Sequence, residues 1–125
     1  QKESEKTYKN GETDGLYTEW YENGKKKSEG TDKDGKSDGL LTNWYENGQK
    51  DGEGNLKGLK LVGFWTFWYE NGQKEGEANF KDGRLDGLAT GWHENGQKES
   101  EVTYKNGKEI DKKCWDEDGN ETECD

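Results

Sequence analysis

Trp20-Tyr21-Glu22-Asn23-Gly24 returns as Trp44-Tyr45-Glu46-Asn47-Gly48, again as Trp68-Tyr69-Glu70-Asn71-Gly72, and a fourth time as Trp92-His93-Glu94-Asn95-Gly96. Each step is 24 residues, and a degraded fifth copy, Trp115-Asp116-Glu117-Asp118-Gly119, arrives one residue early. A short fixed period means one small unit copied along a line, each copy burying its apolar surface on its neighbours. The reading is therefore a rod or ribbon that displays a surface, not a globule built around a pocket.

A second turn signal sits between these pentads: Lys9-Asn10-Gly11, Lys33-Asp34-Gly35, Lys81-Asp82-Gly83 and Lys105-Asn106-Gly107. Asn-Gly and Asp-Gly accept positive φ at little cost and are the strongest short-range hairpin signals. The third copy departs from this, because Leu56-Lys57-Gly58-Leu59-Lys60-Leu61-Val62 lacks the Asp-Gly pair. Between turns lie segments of alternating polarity. Leu16, Thr18 and Trp20 share one parity, and the pattern recurs as Leu40/Thr42/Trp44, Phe64/Thr66/Trp68 and Leu88/Thr90/Trp92. Period-two alternation between turns is a half-buried strand, and with no Pro in the chain nothing interrupts the ladders.

The expected fold is all-β: an elongated array of antiparallel hairpins, about ten strands meandering in a single sheet. The copies run about 13–36, 37–60, 61–84 and 85–108, with a partial copy at 1–12 and a capping hairpin at 109–125. A three-residue Glu-Asn-Gly loop with a Gly bulge is expected to place Trp92 opposite Ser100, Thr90 opposite Val102 and Trp68 opposite Gly76, leaving a small residue beneath each indole. A two-residue loop instead sets Trp92 against Glu99 and Thr90 against Glu101.

Composition alone suggests disorder. Charged residues make up 38% of the chain, the formal charge is −10, and only 14 residues are Leu, Ile, Val or Phe. Six Trp and six Tyr at repeating positions supply the missing apolar area. The acidic balance argues against nucleic acid and anionic membrane surfaces, since no Lys/Arg stripe is evident in the sequence, and it suits a basic protein partner. No apolar run approaches membrane-spanning length. The chain opens on Gln1, which fits either a removed leader or a trimmed start.

The recurring unit, G-(L/F)-x-T-x-W-Y-E-N-G-(Q/K)-K followed by (Y/F)-K-(N/D)-G, resembles the bacterial variant of the MORN repeat (membrane occupation and recognition nexus). The likeness runs from Gln1, which aligns with Gln97, to about Gly119. It implies an elongated, twisted antiparallel sheet. Proteins of this type are often labelled antitoxin components of toxin–antitoxin systems, which implies protein binding rather than catalysis and a cytoplasmic location.

The Trp column (Trp20, Trp44, Trp68, Trp92) is expected to be the structural core of the thin sheet rather than a ligand-stacking track. Leu41, Tyr45, Trp65, Phe67, Tyr69 and His93 fall on the other parity and form either the candidate partner-binding surface or a second packing layer between twisted strands. Cys114 and Cys124 lie symmetrically about Gly119, so a hairpin there brings them into disulfide range and points to an oxidising, extracytoplasmic compartment. No cofactor or metal is expected: Asp116, Asp118 and Asn120 hint at a calcium loop, but Gly119 stands fourth rather than sixth and no helix follows. Catalysis has little support. His93 is the one histidine, and Glu22, Glu46, Glu70 and Glu94 lie in a line about 10 Å apart rather than as a pair. The leading expectation is a non-catalytic, antitoxin- or immunity-like scaffold for protein binding; the alternative is an extracytoplasmic surface or adhesion module that binds host or envelope components. Exposed sheet edges also offer a route to a homodimer.

Overall fold

The computed structural model describes residues 3–124. Gln1, Lys2 and Asp125, which belong to the first and last copies expected from sequence, lie outside the described residues.

Eleven strands follow in chain order: β1 (Ser4–Lys9), β2 (Glu12–Trp20), β3 (Lys26–Lys33), β4 (Lys36–Trp44), β5 (Lys50–Lys57), β6 (Lys60–Trp68), β7 (Lys74–Lys81), β8 (Arg84–Trp92), β9 (Lys98–Lys105), β10 (Lys108–Trp115) and β11 (Glu121–Thr122). They form one open antiparallel sheet in strict sequence order. The substantial packing is between consecutive strands, and no helix is present among the described residues. The strand beyond the expected ten is the two-residue β11, paired to Cys114 and Trp115.

Two turn chemistries alternate. One edge is made of two-residue turns with positive φ at both positions, such as Asn10 (52°) with Gly11 (82°) and Asp34 (52°) with Gly35 (81°). Asn or Asp then Gly is the pair that this mirror-image turn demands. The turn between β5 and β6 uses Gly58 (57°) and Leu59 (78°) instead, so a branched side chain sits where glycine stands in the other four. The opposite edge is made of the Tyr-Glu-Asn-Gly loops. The Gly24 amide donates to the Tyr21 carbonyl (3.0 Å), the Tyr21 amide donates to the Lys25 carbonyl (2.9 Å), and Gly24 takes φ 86°. This is a three-residue loop closed by a glycine bulge, repeated at Tyr45, Tyr69, His93 and Asp116.

The register differs from the expected one. The loop seats Trp92 opposite Lys98, a bulge then shifts the ladder by one residue, and Gly91 faces Ser100, Ala89 faces Val102 and Thr90 faces Glu101. The expected pairings of Trp92 with Ser100 and Trp68 with Gly76 do not occur; Trp68 faces Lys74 and Phe67 faces Gly76. The loop thus has the expected three residues, but beyond the bulge the ladder takes the Thr90–Glu101 pairing of the shorter loop, while Trp92 faces Lys98 rather than Glu99. Polar partners explain why that register is stable. Across the strands Thr18 donates to Glu29 (3.2 Å) and Thr42 donates to Glu53 (2.8 Å); within their own strands the glutamates Glu29, Glu53, Glu77 and Glu101 also pair with Lys26, Lys50, Lys74 and Lys98 at 2.6–3.1 Å.

The most buried apolar side chains, Trp65, Ala78 and Val102, lie on the face opposite the Trp column. Directly paired residues point to one face of a sheet, and Tyr17↔Gly30↔Leu41↔Gly54 continues beyond Trp65 as Ala78↔Ala89↔Val102. Glycine lets aromatic rings lie flat on the backbone here. A Cβ on Gly54 would sit 2.1 Å from the Trp65 indole, and one on Gly30 would sit 2.9 Å from the Tyr17 ring. The expectation that small residues lie beneath the Trp column is therefore corrected: they lie beneath the rings of the other face.

Candidate functional site

Each face carries its own aromatic system. On the core face Trp65 is only 4% exposed, its indole N–H donates to the Asn55 carbonyl (2.9 Å), and its ring stacks on Phe67 with centroids 5.9 Å apart. Trp65 was expected on an open surface. It is instead buried, because the side-chain-free backbone at Gly54 leaves a slot that the indole fills. Leu41 and Phe67 are half-buried beside it.

Tyr45, Tyr69 and His93 are half-buried, and their polar tips are already engaged. The Tyr21 hydroxyl donates to the Trp44 carbonyl (2.6 Å), Tyr45 to Trp68 (2.5 Å), and Tyr69 to Trp92 (2.6 Å). His93 Nε2 lies 2.9 Å from the Trp115 carbonyl, which can only accept, so the proton is on Nε2. Each Asn of the loop adds a parallel rung: Asn23 Nδ2 donates to the Glu46 carbonyl (3.1 Å), and Asn47, Asn71 and Asn95 repeat the bond one copy further on. The same Asn accepts from the amide two residues ahead through Oδ1. The recurring Tyr-Glu-Asn-Gly is thus a clamp that ties each loop to the next. Burial raises the pKa of Tyr21, Tyr45 and Tyr69, and nearby carboxylates, Glu46 and Asp51 for Tyr21, raise it further.

On the opposite face the Trp column alternates with lysine. Trp20 faces Lys26, Trp44 faces Lys50, Trp68 faces Lys74 and Trp92 faces Lys98. Each ammonium also lies over the indole of the following copy: Lys26 over Trp44 (5.8 Å), Lys50 over Trp68 (5.7 Å), Lys74 over Trp92 (5.7 Å) and Lys98 over Trp115 (5.6 Å). The indoles of Trp44, Trp68, Trp92 and Trp115 thus each have a lysine ammonium over the ring in cation–π geometry.

What this face does leave open is a row of large apolar side chains. Leu16 is 58% exposed, Leu40 52%, Phe64 55% and Leu88 52%. They occupy the same place in four successive copies. Alternation signalled an apolar position there but not its exposure. The partners Thr31, Asn55, Asn79 and Thr103 face them, and none is apolar, but that pairing depends on the bulged register.

The two-residue-turn edge sets Lys33 opposite Lys36, Lys57 opposite Lys60, Lys81 opposite Arg84 and Lys105 opposite Lys108. Asp34 and Asp82 at the turn tips interrupt the positive charge. At the C-terminal end Cys114 and Cys124 form a disulfide with Cα atoms 5.4 Å apart, joining β10 to the segment after β11. Among the described residues no group of His, Cys, Asp and Glu is arranged to hold a metal ion, and no helix is long and apolar enough to cross a membrane. Depressions along the sheet, such as the one lined by Trp68, Gly72, Gln73, Lys74, Trp92 and Gly96, are open to solvent.

No curated protein matches this sequence. The family model of the MORN repeat variant matches residues 13–31, 37–57, 61–82 and 85–106, one segment for each main hairpin copy. The chain therefore belongs to the MORN repeat variant family, a non-enzymatic repeat scaffold whose modules commonly bind proteins or membranes.

Proposed function

We propose that this chain is a non-catalytic scaffold that binds another protein through its sheet. The observation that carries the reading is the apolar row Leu16, Leu40, Phe64 and Leu88, each more than half exposed at the same position of its repeat. Single exposed apolar residues are ordinary, but a large one recurring in every copy of a strongly charged sheet is the pattern of an interaction surface. With a formal charge of −10, the chain suits a partner of basic character.

Neutralisation of a toxin, in the manner of an antitoxin or immunity protein, is the finer form of this reading and rests on family analogy. The disulfide favours a second reading, a surface or adhesion module working in an oxidising compartment. Affinity capture from the native cell with the immobilised full chain tests the scaffold function. A protein partner retained stoichiometrically and competed off by free chain is the expected result; no specific retention refutes it. Intact mass of the native protein after thiol blocking separates the two readings, because a cytoplasmic antitoxin carries reduced cysteines.

A further inference from the structure

The exposed apolar row has a geometry that selects its occupant. Leu16, Leu40, Phe64 and Leu88 are paired with Thr31, Asn55, Asn79 and Thr103, so tall apolar and short polar side chains alternate along the sheet. Consecutive knobs are two strands apart, about 9.6 Å. Seven residues of α-helix rise about 10.5 Å, so a helix lying across the strands presents one side chain per gap when its apolar residues recur in heptads. An extended strand laid on the same row presents a side chain to one face every 6.6 Å or so, and falls out of step after one knob. We propose that the row docks an amphipathic α-helix of a partner protein, with apolar residues at heptad spacing and Lys or Arg on its flanks.

The inference rests on the protein-binding reading above and names the partner's chemistry. The flanking charge follows from the chain's own −10; nearer the row, Asp14, Asp38 and Asp86 stand two positions before Leu16, Leu40 and Leu88 in sequence and are interspersed with the lysines of the turn edge and of the indole column. Adjacent strands rotate by roughly 20–25°, so a straight helix seats on two or three consecutive knobs rather than four. Leu40, Phe64 and Leu88 are the central set. The Trp column does not compete for the helix, because a lysine ammonium already lies over each of the Trp44, Trp68 and Trp92 rings.

The test uses the full chain and two synthetic helical peptides of identical Leu and Lys composition, read by fluorescence anisotropy. One carries Leu in heptad register; the other has the same Leu residues spread around the helix. The heptad peptide is expected to bind at least about tenfold more tightly. The L40S/F64S/L88S variant is expected to lose about the same factor while its thermal midpoint stays close to that of the parent. Equal binding of both peptides, or an unaffected triple variant, overturns the proposal. A dimer of the chain that the triple variant abolishes also overturns it, by making the row a self-interface. Capture of a native partner that the triple variant still retains leaves the scaffold reading standing and removes the helix. Failure of either chain to capture any partner removes the scaffold reading, and this inference with it.

Discussion

Leu59 is the residue whose replacement is expected to stabilise this protein. It holds φ 78° in the turn between β5 and β6, where the other four turns of that kind carry Gly11, Gly35, Gly83 and Gly107 at 81–82°. A non-glycine residue in the left-handed region costs roughly 1–2 kcal/mol. Leu59 recovers little of this by packing, since it is 62% exposed. Its amide bond to the Ser37 carbonyl is also long at 3.3 Å, against 2.9–3.1 Å for the matching bonds of Gly35, Gly83 and Gly107. Leu59→Gly removes the strain but frees the unfolded chain by about 0.5–1 kcal/mol, for a net gain of roughly 0.5–1 kcal/mol. Adding Gly58→Asp, which restores the Asp-Gly pair of the neighbouring turns, is close to neutral, because the left-handed cost of Asp at φ 57° offsets its gain in unfolded-state entropy. The double variant should gain about 0.5–1 kcal/mol, read as an increase in the urea midpoint at constant slope. Gly83→Leu, the reverse change one repeat later, should lose a similar amount. If the double variant is no more stable than the parent while Gly83→Leu is tolerated, backbone strain does not control these turns.

Three further outcomes follow from the packing. Gly54→Ala drives a Cβ to 2.1 Å from the Trp65 ring and is expected to destabilise as severely as Trp65→Ala, about 3–5 kcal/mol, whereas Leu40→Ser should cost under about 0.5 kcal/mol; chemical denaturation ranks the three. Tyr45→Phe and Tyr69→Phe each delete one inter-repeat hydrogen bond, for about 1 kcal/mol apiece in thermal unfolding. Because burial and then nearby carboxylates raise these phenols, their contribution is complete below the ordinary tyrosine pKa of about 10 and is lost as pH rises through the higher folded value; the Phe variants should show a shallower alkaline loss of stability. Glu53 is shifted the other way, first by the Thr42 hydroxyl and, against an opposing effect of burial, by Lys50. Its contribution is present above about pH 4.3 and disappears as pH falls through the lower folded value, so Thr42→Val should flatten the acid limb of the stability curve.

The strands and both turn types were legible in the sequence because backbone chemistry dictates them. Asn10-Gly11 and Glu22-Asn23-Gly24 each permit few conformations, and a chain without Pro that alternates polarity between such turns has few other folds open to it. The register was not legible. It depends on a bulge behind each loop, at the step between Gly91 and Trp92 for example, and a bulge adds one residue with no fixed sequence mark. The buried face was hidden for a related reason. Large apolar residues occur on both parities, and the deciding signal was the small residues of the odd strands: Gly30, Gly52, Gly54, Gly76 and Ala78. Each marks a place where a ring or a neighbouring strand comes close to the backbone, and together they identify the face that Tyr17, Trp65 and Phe67 cover. The exposure of the apolar row was hidden because alternation shows which residues share a face, not which face is covered.

A single sheet of this kind still has to hold itself together with no second layer over it. Among the described residues the buried apolar core is Trp65, Ala78 and Val102, so the remainder must come from contacts that repeat. The Tyr hydroxyl and Asn amide of each loop reach the next loop 23 residues on, and each Lys reaches the next Trp. All three link copy to copy: the Tyr and Asn bonds join one loop to the next, and the Lys–Trp contact crosses the two-residue-turn hairpin that connects successive copies. Stability then accumulates with the number of copies, as in any one-dimensional array. It also follows that the residues at the free row contribute little to folding. Leu16, Leu40, Phe64 and Leu88 pair with polar neighbours, stand in water, and take no part in the clamp or the lysine–indole column. A position with no structural task that remains large and apolar in four copies is better explained by what docks there than by what lies beneath it.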